Sequence, residues 1–395
     1  MIPSNTETVS APERSGVHIL FLDHIRGVAI FLVLVYHILI ASHGMNLLMS
    51  WNGWVRDFTK VPASLFPFLP FTAGWLGVAI FFVVSGFCIH LSHEKSKQKE
   101  FKVFFVRRFF RIYPPYLLAL GVFAFLYPTT KLHFNSSGDF VQLASHLLLF
   151  NNIDKSLFYG INGSFWSIVI EAQLYLIYPL LLLIVRRHGW EKALWFTGIL
   201  EVFLRAGCAI PLPDWLSCSP FFYWFSWALG AKLADDYLKG RPLLLTSHPL
   251  WLWPAVTCVA YVFRPTSLFA FLFTALATAK WISHLLARPA KGPSQPSILS
   301  RFFQWLGIIS YSLYLVHEPL LTSFVKSLLV TPGSFRIHPL LFIACTAGFC
   351  GVIFFIAWLF HRFVELPSIE IGKRFLKRHF PSQSLPAPGK HSNAA

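Results

Sequence analysis

The chain has 395 residues, of which 55% are hydrophobic and only 13% are charged, and its formal net charge is +16 at pH 7. It is too apolar and too poor in charge for a soluble domain, so we interpret it as an all-α, polytopic integral membrane protein. Its 42 Phe and 14 Trp suit lipid-facing helices with interfacial belts, and the sequence does not alternate as the strands of a transmembrane β-barrel would.

Apolar segments of about 20 residues predict ten transmembrane helices. They lie at residues 18–42, 72–92, 112–128, 166–185, 193–211, 219–238, 248–264, 267–286, 305–328 and 339–361. With the N-terminus inside, the cytoplasmic segments carry roughly 23 Lys and Arg and the outer segments roughly 6, so the positive-inside rule predicts that both termini are cytoplasmic. This bias accounts for the basic charge, and no nucleic-acid partner is expected.

The composition divides the chain into three parts. A polar segment covers residues 1–17, the transmembrane domain covers residues 18–380, and a disordered tail rich in Pro, Ser and Ala covers residues 381–395. Residues 287–300 have the same composition and predict a mobile cytoplasmic connection. The six cysteines are scattered without a CxxC pair, so we interpret them as small core residues and predict no metal site.

The first span contains Arg26 and His37, where charge is expensive. Eleven residues are three helical turns plus about 20°, so both side chains share one face, roughly 16 Å apart along the axis. Intramembrane ionisable groups usually face a polar interior and mark a working site. Asp23 shares this face, and neutral His37 is suited to take a proton from an acceptor hydroxyl. The alternatives are a structural histidine and an Asp23–Arg26 ion pair.

The second span, WLGVAIFFVVSGFCIH at residues 75–90, contains Ser85. A serine there is a candidate nucleophile, but no base is obvious on its own helix. The alternative is a hydroxyl that bonds back to a helix carbonyl.

A basic cluster, FFVRRFFRIYPP at residues 104–115, precedes a span that we predict to start near Pro114. Arg107, Arg108 and Arg111 lie at the cytoplasmic membrane edge. Arg108 and Arg111 share a helix face, and guanidinium groups bind phosphates bidentately, so a phosphorylated cytoplasmic donor would dock here. The alternative is a cluster that sets topology or contacts anionic lipid.

The fourth span carries a polar stripe on an otherwise apolar helix. Ser167, Glu171, Tyr175 and Tyr178 recur at i, i+4, i+8 and i+11. Glu171 is costly to bury, so it is either a neutral hydrogen-bond donor or a charged group beside Arg26 or a histidine. The alternative is a clasp between helices.

A second polar face lies in ISYSLYLVHEPLL at residues 309–321. Ser310, Tyr314 and His317 align at i, i+4 and i+7. Pro319 predicts a kink and frees a carbonyl around Leu315, which would help to line a cavity. The alternative is a purely structural network.

In this order, the segments resemble the acyltransferase family 3 membrane proteins, a group with O-antigen acetylases, nodulation-factor acetylases and macrolide acylases. The resemblance covers residues 20–370 or so. It rests on LDHIRGVAIFLVLVYH with its R-x10-H spacing, GVAIFFVVSGF, RRFFR, SFWSIVIEAQLYLIYPLL, ISYSLYLVHEPLL and HRFVELPSIEIGKR. Two departures are SIVIEAQ where the family often has SxExQ, and His24 where a small residue often follows the aspartate.

The resemblance implies a ten-helix, multi-pass enzyme of the cell inner (plasma) membrane. It would move an acyl group, usually acetyl, from cytoplasmic acyl-CoA to a hydroxyl of a cell-surface or lipid-linked saccharide. It implies His37 as the base and Arg26 as its essential partner, with Glu171 as a further catalytic candidate. The substrate-binding candidates are Arg107, Arg108, Arg111, Trp166, Ser85, Tyr314 and His317.

The expected partners are acyl-CoA as co-substrate, a saccharide or glycolipid acceptor, and the lipid bilayer. No bound cofactor is expected, and the oligomeric state is open. The rival function is a transporter or flippase, in which the same buried Arg, His and Glu groups would relay protons or bind an anionic substrate. The sequence shows no duplicated halves, which disfavours that class. A third alternative is a catalytically silent relative that serves as a partner subunit.

Overall fold

The computed structural model describes residues 20–96, 99–207, 212–287, 296–329 and 339–380. The predicted polar segment at residues 1–17 and the predicted tail at residues 381–395 lie outside the described residues. Most of the predicted connection at residues 287–300 also lies outside them.

The described chain is almost entirely helical. Its α-helices are, in order, α1 (Leu20–His43), α2 (Met45–Leu48), α3 (Gly77–Glu94), α4 (Phe101–Gly121), α5 (Ser137–Leu147), α6 (Lys155–Phe158), α7 (Phe165–Gly207), α8 (Asp214–Ser217), α9 (Trp224–Lys239), α10 (Leu252–Val262), α11 (Arg264–Ser267), α12 (Ala270–Ala287), α13 (Ile298–Ile308), α14 (Ser310–Leu329), α15 (Pro339–Phe360) and α16 (Leu366–His379). Segments of 3-10 helix cover Ala63–Leu76, Asn151–Ile153 and Pro220–Tyr223, and π-helical turns cover Val122–Leu126 and His361–Glu365. Strands β1 (Trp51–Asn52) and β2 (Val55–Arg56) form an antiparallel hairpin with Trp51 opposite Arg56.

Each of the ten predicted spans overlaps helix in the part of the chain that the structure describes. Among the described residues, six helical segments are long and apolar enough to cross a membrane. They are Phe21–His43, Leu65–Glu94, Phe101–Leu126, Phe165–Gly207, Ala270–Ala287 and Leu340–His379. The protein is therefore an all-α, multi-pass membrane protein, as the composition predicts.

The third span differs from its prediction. Helix α4 begins at Phe101, well before the expected start near residue 112, so the basic cluster lies inside the helix. Pro114 and Pro115 do not end this helix. Pro114 lacks the N–H that would bond the Phe110 carbonyl, and the Ser368 hydroxyl of α16 donates to that carbonyl instead. The two prolines are tolerated because a neighbouring helix supplies the missing donor.

Helix α7 contains the span predicted at residues 166–185 and the described part, residues 193–207, of the span predicted at residues 193–211. Between them, Gly189 has φ 81° and ψ 167°, a conformation that side chains strongly disfavour, and it breaks the helical path. The 43-residue element is therefore two helices joined at one glycine. The expected loop is reduced to a kink.

Close helix crossings at glycine hold the bundle together. A Cβ on Gly27 of α1 would lie 1.8 Å from the Phe303 carbonyl oxygen, and one on Gly307 of α13 would lie 1.8 Å from that of Asp23. The pair α1 and α13 is thus in backbone contact, as is usual where small residues line a membrane helix interface. This contact fixes the segment of α1 that carries Arg26.

Candidate active site

A polar cavity of about 100 Å³ lies between α1, α3, α4, α7 and α14. Its polar lining comes from all five helices and consists of Arg26, Ser85, Cys88, Arg108, Arg111, Ser167, Glu171, Tyr175, Ser310, Tyr311 and Tyr314. Apolar side chains such as Phe81, Phe82 and Ile112 complete the wall. The structure therefore brings together six of the predicted site residues, namely Arg26, Ser85, Arg108, Arg111, Glu171 and Tyr314.

Glu171 accepts two hydroxyl hydrogen bonds in this cavity. Ser85 Oγ donates to its Oε1 at 2.6 Å, and Tyr175 Oη donates to the same oxygen at 2.5 Å. Ser85 Oγ in turn accepts from Trp227 Nε1 at 3.3 Å. The hydroxyl of Ser85 is therefore paired with a carboxylate on another helix and does not bond back to its own. This partner was not visible from the second span alone.

Three arginines face the cavity from the other side. Arg26 Nη1 pairs with Asp23 Oδ1 at 3.3 Å, and its Nη2 donates to Cys88 Sγ at 3.2 Å. The ion pair expected as an alternative role for Asp23 is thus present, and it leaves Arg26 in the cavity wall. Arg108 donates from Nη2 to Ser92 Oγ at 3.2 Å. Its Nε is buried and has no hydrogen-bond partner in the described part of the chain.

Arg107 and Trp166 lie outside the cavity lining. Arg107 is exposed and donates from Nη1 to Ser96 Oγ at 3.0 Å. Trp166 packs between Phe158 and Tyr223, with ring centroids 5.5 and 5.7 Å away. The three arginines of the basic cluster therefore separate, with Arg108 and Arg111 turned inward and Arg107 outward.

His37 and His317 form a pair next to the cavity. Their ring centroids are 4.9 Å apart and the rings are nearly perpendicular. His37 Nδ1 lies 2.8 Å from the Val33 carbonyl oxygen, and His317 Nδ1 lies 3.1 Å from that of Tyr314. A carbonyl only accepts, so in each ring Nδ1 carries the proton and Nε2 keeps a lone pair in the neutral state. His317 Nε2 is buried without a partner among the described residues.

Tyr314 connects the histidine pair to the cavity. Its ring centroid is 5.4 Å from that of His317, and its hydroxyl accepts from Ser167 Oγ at 2.7 Å. Tyr314 and Ser167 both line the cavity, whereas neither histidine does. A path of polar groups therefore runs from the arginines through Tyr314 to the imidazoles.

Pro319 lies inside α14 and, as predicted, lacks the N–H that would bond the Leu315 carbonyl. The Leu315 carbonyl has no helical donor, and Asn162 Nδ2, just ahead of α7, donates to it at 2.9 Å. Ser164 Oγ donates to the neighbouring Tyr314 carbonyl at 3.1 Å. The start of α7 is thereby attached to α14. The prediction that the freed carbonyl helps to line the cavity is wrong, since Leu315 is not among the lining residues.

Sequence reasoning did not select every group that lines the site. Cys88, Tyr175 and Tyr311 face the cavity but were not among the candidates. Tyr175 carries a signal, since it lies one turn after Glu171 on the same stripe. Tyr311 does not, because its hydroxyl turns to the Ile112 carbonyl of α4 at 2.8 Å, a contact between distant segments.

Comparison with known proteins identifies the family of this chain. A protein-family model described as an acyltransferase domain matches residues 19–362. The chain belongs to this acyltransferase family. The family membership predicted from the ordered motifs is thereby confirmed, and the matched region contains every predicted site residue.

Several curated relatives fit this assignment. A peptidoglycan O-acetyltransferase of Listeria monocytogenes is 28% identical over 345 residues, which cover 76% of this chain and 52% of the relative. Nodulation protein 10 of Rhizobium leguminosarum is 26% identical, covering 61% and 70%. An acyltransferase of Streptomyces mycarofaciens, MdmB, is 25% identical, covering 62% and 68%. The chain thus spans about half the length of the Listeria relative, and no solved structure matches it.

Proposed function

We propose that the protein is an integral-membrane O-acyltransferase. It moves an acyl group, most simply acetyl, from cytoplasmic acyl-CoA to a hydroxyl of a cell-surface or lipid-linked saccharide. The observation that carries the proposal is the cavity in which arginines of α1 and α4 meet Glu171, with Tyr314 leading on to the histidine pair. The names of the relatives, an O-acetyltransferase and an acyltransferase among them, support the same reaction class.

The donor side is built from arginines. Arg108 and Arg111 enter the cavity from one face of α4, and the unpartnered Nε of Arg108 is a free donor for an anion. Guanidinium groups bind phosphate oxygens through paired hydrogen bonds, which suits the phosphates of coenzyme A. The pantetheine arm then extends from this end into the bundle, so the thioester reaches a position well away from the phosphates.

The acceptor side is built around His37. Its Nε2 lone pair removes the proton of the acceptor hydroxyl while the hydroxyl oxygen attacks the thioester carbonyl. Collapse of the tetrahedral intermediate expels the coenzyme A thiolate, which takes the proton back from His37. Arg26 lies about 16 Å from His37 along α1 and lines the cavity together with Arg108 and Arg111, so its guanidinium acts on the donor side.

In the membrane, we place ten spans with both termini in the cytoplasm. The charge bias between the two sides supports this orientation. Arg108 and Arg111 then open toward the cytoplasm, where acyl-CoA is found, and His37 lies in the outer half of α1. The cell inner membrane is the location that fits both substrates.

The proposal is tested with purified protein in liposomes and radiolabelled acetyl-CoA. Wild type is compared with His37→Ala and Arg26→Ala in the presence of mixed glycan acceptors, and folding is followed by thermal shift. We expect label transfer or slow acetyl-CoA hydrolysis in wild type and its loss in both variants. If wild type consumes no acyl-CoA but sugars cross the bilayer in a His37-dependent way, the protein is a transporter or flippase.

A further inference from the structure

A group of aromatic and imidazole rings surrounds the end of the site that holds the histidine pair. Tyr36 and His37 have ring centroids 5.2 Å apart, His37 and His317 4.9 Å, and His317 and Tyr314 5.4 Å. Tyr159 lies four residues before Gly163, whose N–H donates to Glu318 Oε2, and Glu318 directly follows His317 in α14. The segment of Tyr159 is therefore attached to the helix that carries His317.

Tyr159 is an exposed aromatic side chain of this segment. It follows the short helix α6 and is 64% exposed, whereas His317 is completely buried. Its ring rests edge-on against the buried Phe158, with centroids 4.9 Å apart. One side of the phenol ring is thus supported by protein while much of its surface is open.

The carboxylate of Glu318 lies against the segment that follows Tyr159. Glu318 Oε2 accepts the backbone N–H of Gly163 at 3.1 Å, and its Oε1 accepts from Thr322 Oγ1 at 3.2 Å. The Glu318 charge also interacts with His37 and with Tyr314. Gly163 permits this placement, because a Cβ there would lie 3.2 Å from the carboxyl carbon. The carboxylate is therefore held in position one residue after His317, whose ring packs against that of His37.

We propose that Tyr159 and Glu318 form the acceptor subsite and that it holds a pyranose ring. The proposal rests on the acyltransferase function given above and names the residues that select its acceptor. The face of an aromatic ring is electron-rich and attracts the polarised C–H bonds on one side of a pyranose. A carboxylate accepts sugar hydroxyls in charge-assisted hydrogen bonds. Together they would orient one hydroxyl toward His37 Nε2.

The subsite is tested by saturation-transfer NMR on the full chain in lipid nanodiscs. The probes are the methyl glycosides of glucose, galactose, mannose and N-acetylglucosamine. We expect saturation transfer to at least one probe in wild type, a signal reduced about fivefold to tenfold in Tyr159→Ala, and a retained signal in Tyr159→Phe, which keeps the ring. Glu318→Gln should weaken binding as well, because the amide keeps the shape but loses the charge.

The matched control is Trp54→Ala, which removes another exposed aromatic ring, 74% exposed, from the hairpin turn. If Tyr159 only anchors the chain at the membrane interface, Trp54→Ala and Tyr159→Ala should reduce saturation transfer to the sugars by the same factor. That result would contradict the proposal. Unchanged sugar binding in Tyr159→Ala, or no binding of any probe by wild type, also overturns it. Sugar binding by a wild type that consumes no acetyl-CoA would leave the subsite standing and refute the acyltransferase proposal.

A kinetic readout separates selection from folding. In the transferase assay, Tyr159→Ala should raise the KM for the acceptor at least fivefold and leave the KM for acetyl-CoA near that of wild type. An equal rise in both KM values that Tyr159→Phe does not rescue would indicate a structural role and contradict the proposal.

Discussion

Glu171 is the carboxylate in the cavity lining, and its Oε1 accepts hydrogen bonds from both the Ser85 and the Tyr175 hydroxyl. The same residue interacts electrostatically with Arg26 and Arg108. It therefore belongs to a helix clasp and to the charged lining at once. The contacts show the helix clasp that the sequence left open as an alternative, and a substitution that separates charge from shape tests the proposed role in the reaction.

Glu171→Gln makes that separation. The amide keeps an oxygen that accepts from Ser85 and Tyr175 but removes the negative charge from among the arginines. We expect kcat for transfer to fall at least tenfold, on the order of the loss of one charge-stabilising group. The KM for acetyl-CoA should not rise, since an anionic donor gains nothing from a nearby carboxylate. Initial rates over a range of acetyl-CoA concentrations measure both quantities.

The control for Glu171→Gln is Ser85→Ala, which removes one donor and keeps the charge. It should lower stability by about 1 kcal/mol, measured by thermal unfolding in detergent, with a smaller effect on kcat. Wild-type kinetics in Glu171→Gln would reduce the role of Glu171 to the clasp between α3 and α7.

Arg108 and Arg107 are adjacent in sequence but differ in their surroundings, so they form a natural pair for comparison. Arg108→Lys keeps the charge in the cavity and loses the planar guanidinium. We expect the KM for acetyl-CoA to rise about tenfold with little change in kcat, because a lysine does not make paired contacts to phosphate. Arg107→Lys should leave both parameters unchanged, since Arg107 turns away to Ser96. Equal effects in the two variants would contradict a donor site at Arg108.

At the scale of helices, the crossing of α3 and α9 sets the position of Ser85. A Cβ on Gly86 would lie 2.0 Å from the Trp227 carbonyl oxygen, and one on Gly230 would lie 1.9 Å from that of Val83. The backbones touch at both points, as small residues allow in membrane helix pairs. This approach also brings the Trp227 indole within reach of the Ser85 hydroxyl.

Gly86→Ala should therefore disturb both the packing and the site. The added methyl group must push α9 away, which costs roughly 1–3 kcal/mol by analogy with overpacked cores. We expect a lower thermal midpoint and reduced transfer, because the Trp227–Ser85 hydrogen bond is stretched. Gly348→Ala on α15 is the matched control, since its Cβ meets nothing within 4 Å. Equal unfolding temperatures for the two variants would contradict a role of this crossing in stability.

The sequence predicted the helices well wherever an apolar run and a polar stripe coincide. The spans at α1, α7 and α14 and the inward faces of Arg26, Glu171 and Tyr314 follow from hydropathy and helical periodicity alone. The start of α4 and the whole of α16 were not predicted from hydropathy, because these helical segments are amphipathic and pack against each other. Gly372 of α16 lies so close to Phe110 that a Cβ would approach its side chain to 2.6 Å.

The pairs that complete the site could not be read from one sequence. The contacts of Trp227 with Ser85, of Asn162 with the Leu315 carbonyl, and of His37 with His317 each join segments more than 100 residues apart. Local patterns indicate which face of a helix is polar, but not which other helix that face meets. Tyr159 carries no periodic signal at all, because it lies between helices.

For the whole molecule, the proposed mechanism needs the two substrate sides to be opposite faces of the membrane. We propose that the donor enters at Arg108 and Arg111 of α4 and that the acceptor enters at Tyr159, on the other side of the membrane. If the termini are cytoplasmic, the loop before α5 lies outside and the kink at Gly189 lies inside. Orientation is therefore a direct consequence of the proposal and can be tested without any substrate.

We expect single cysteines to report this orientation in intact cells. In a variant whose six native cysteines are serine, Ser137→Cys should react with a membrane-impermeant maleimide added outside, because Ser137 is exposed at the start of α5. His188→Cys, beside the kink and also exposed, should react only after the membrane is permeabilised. The reverse pattern would place Arg108 and Arg111 on the outer face, away from cytoplasmic acyl-CoA, and the donor assignment would then be wrong.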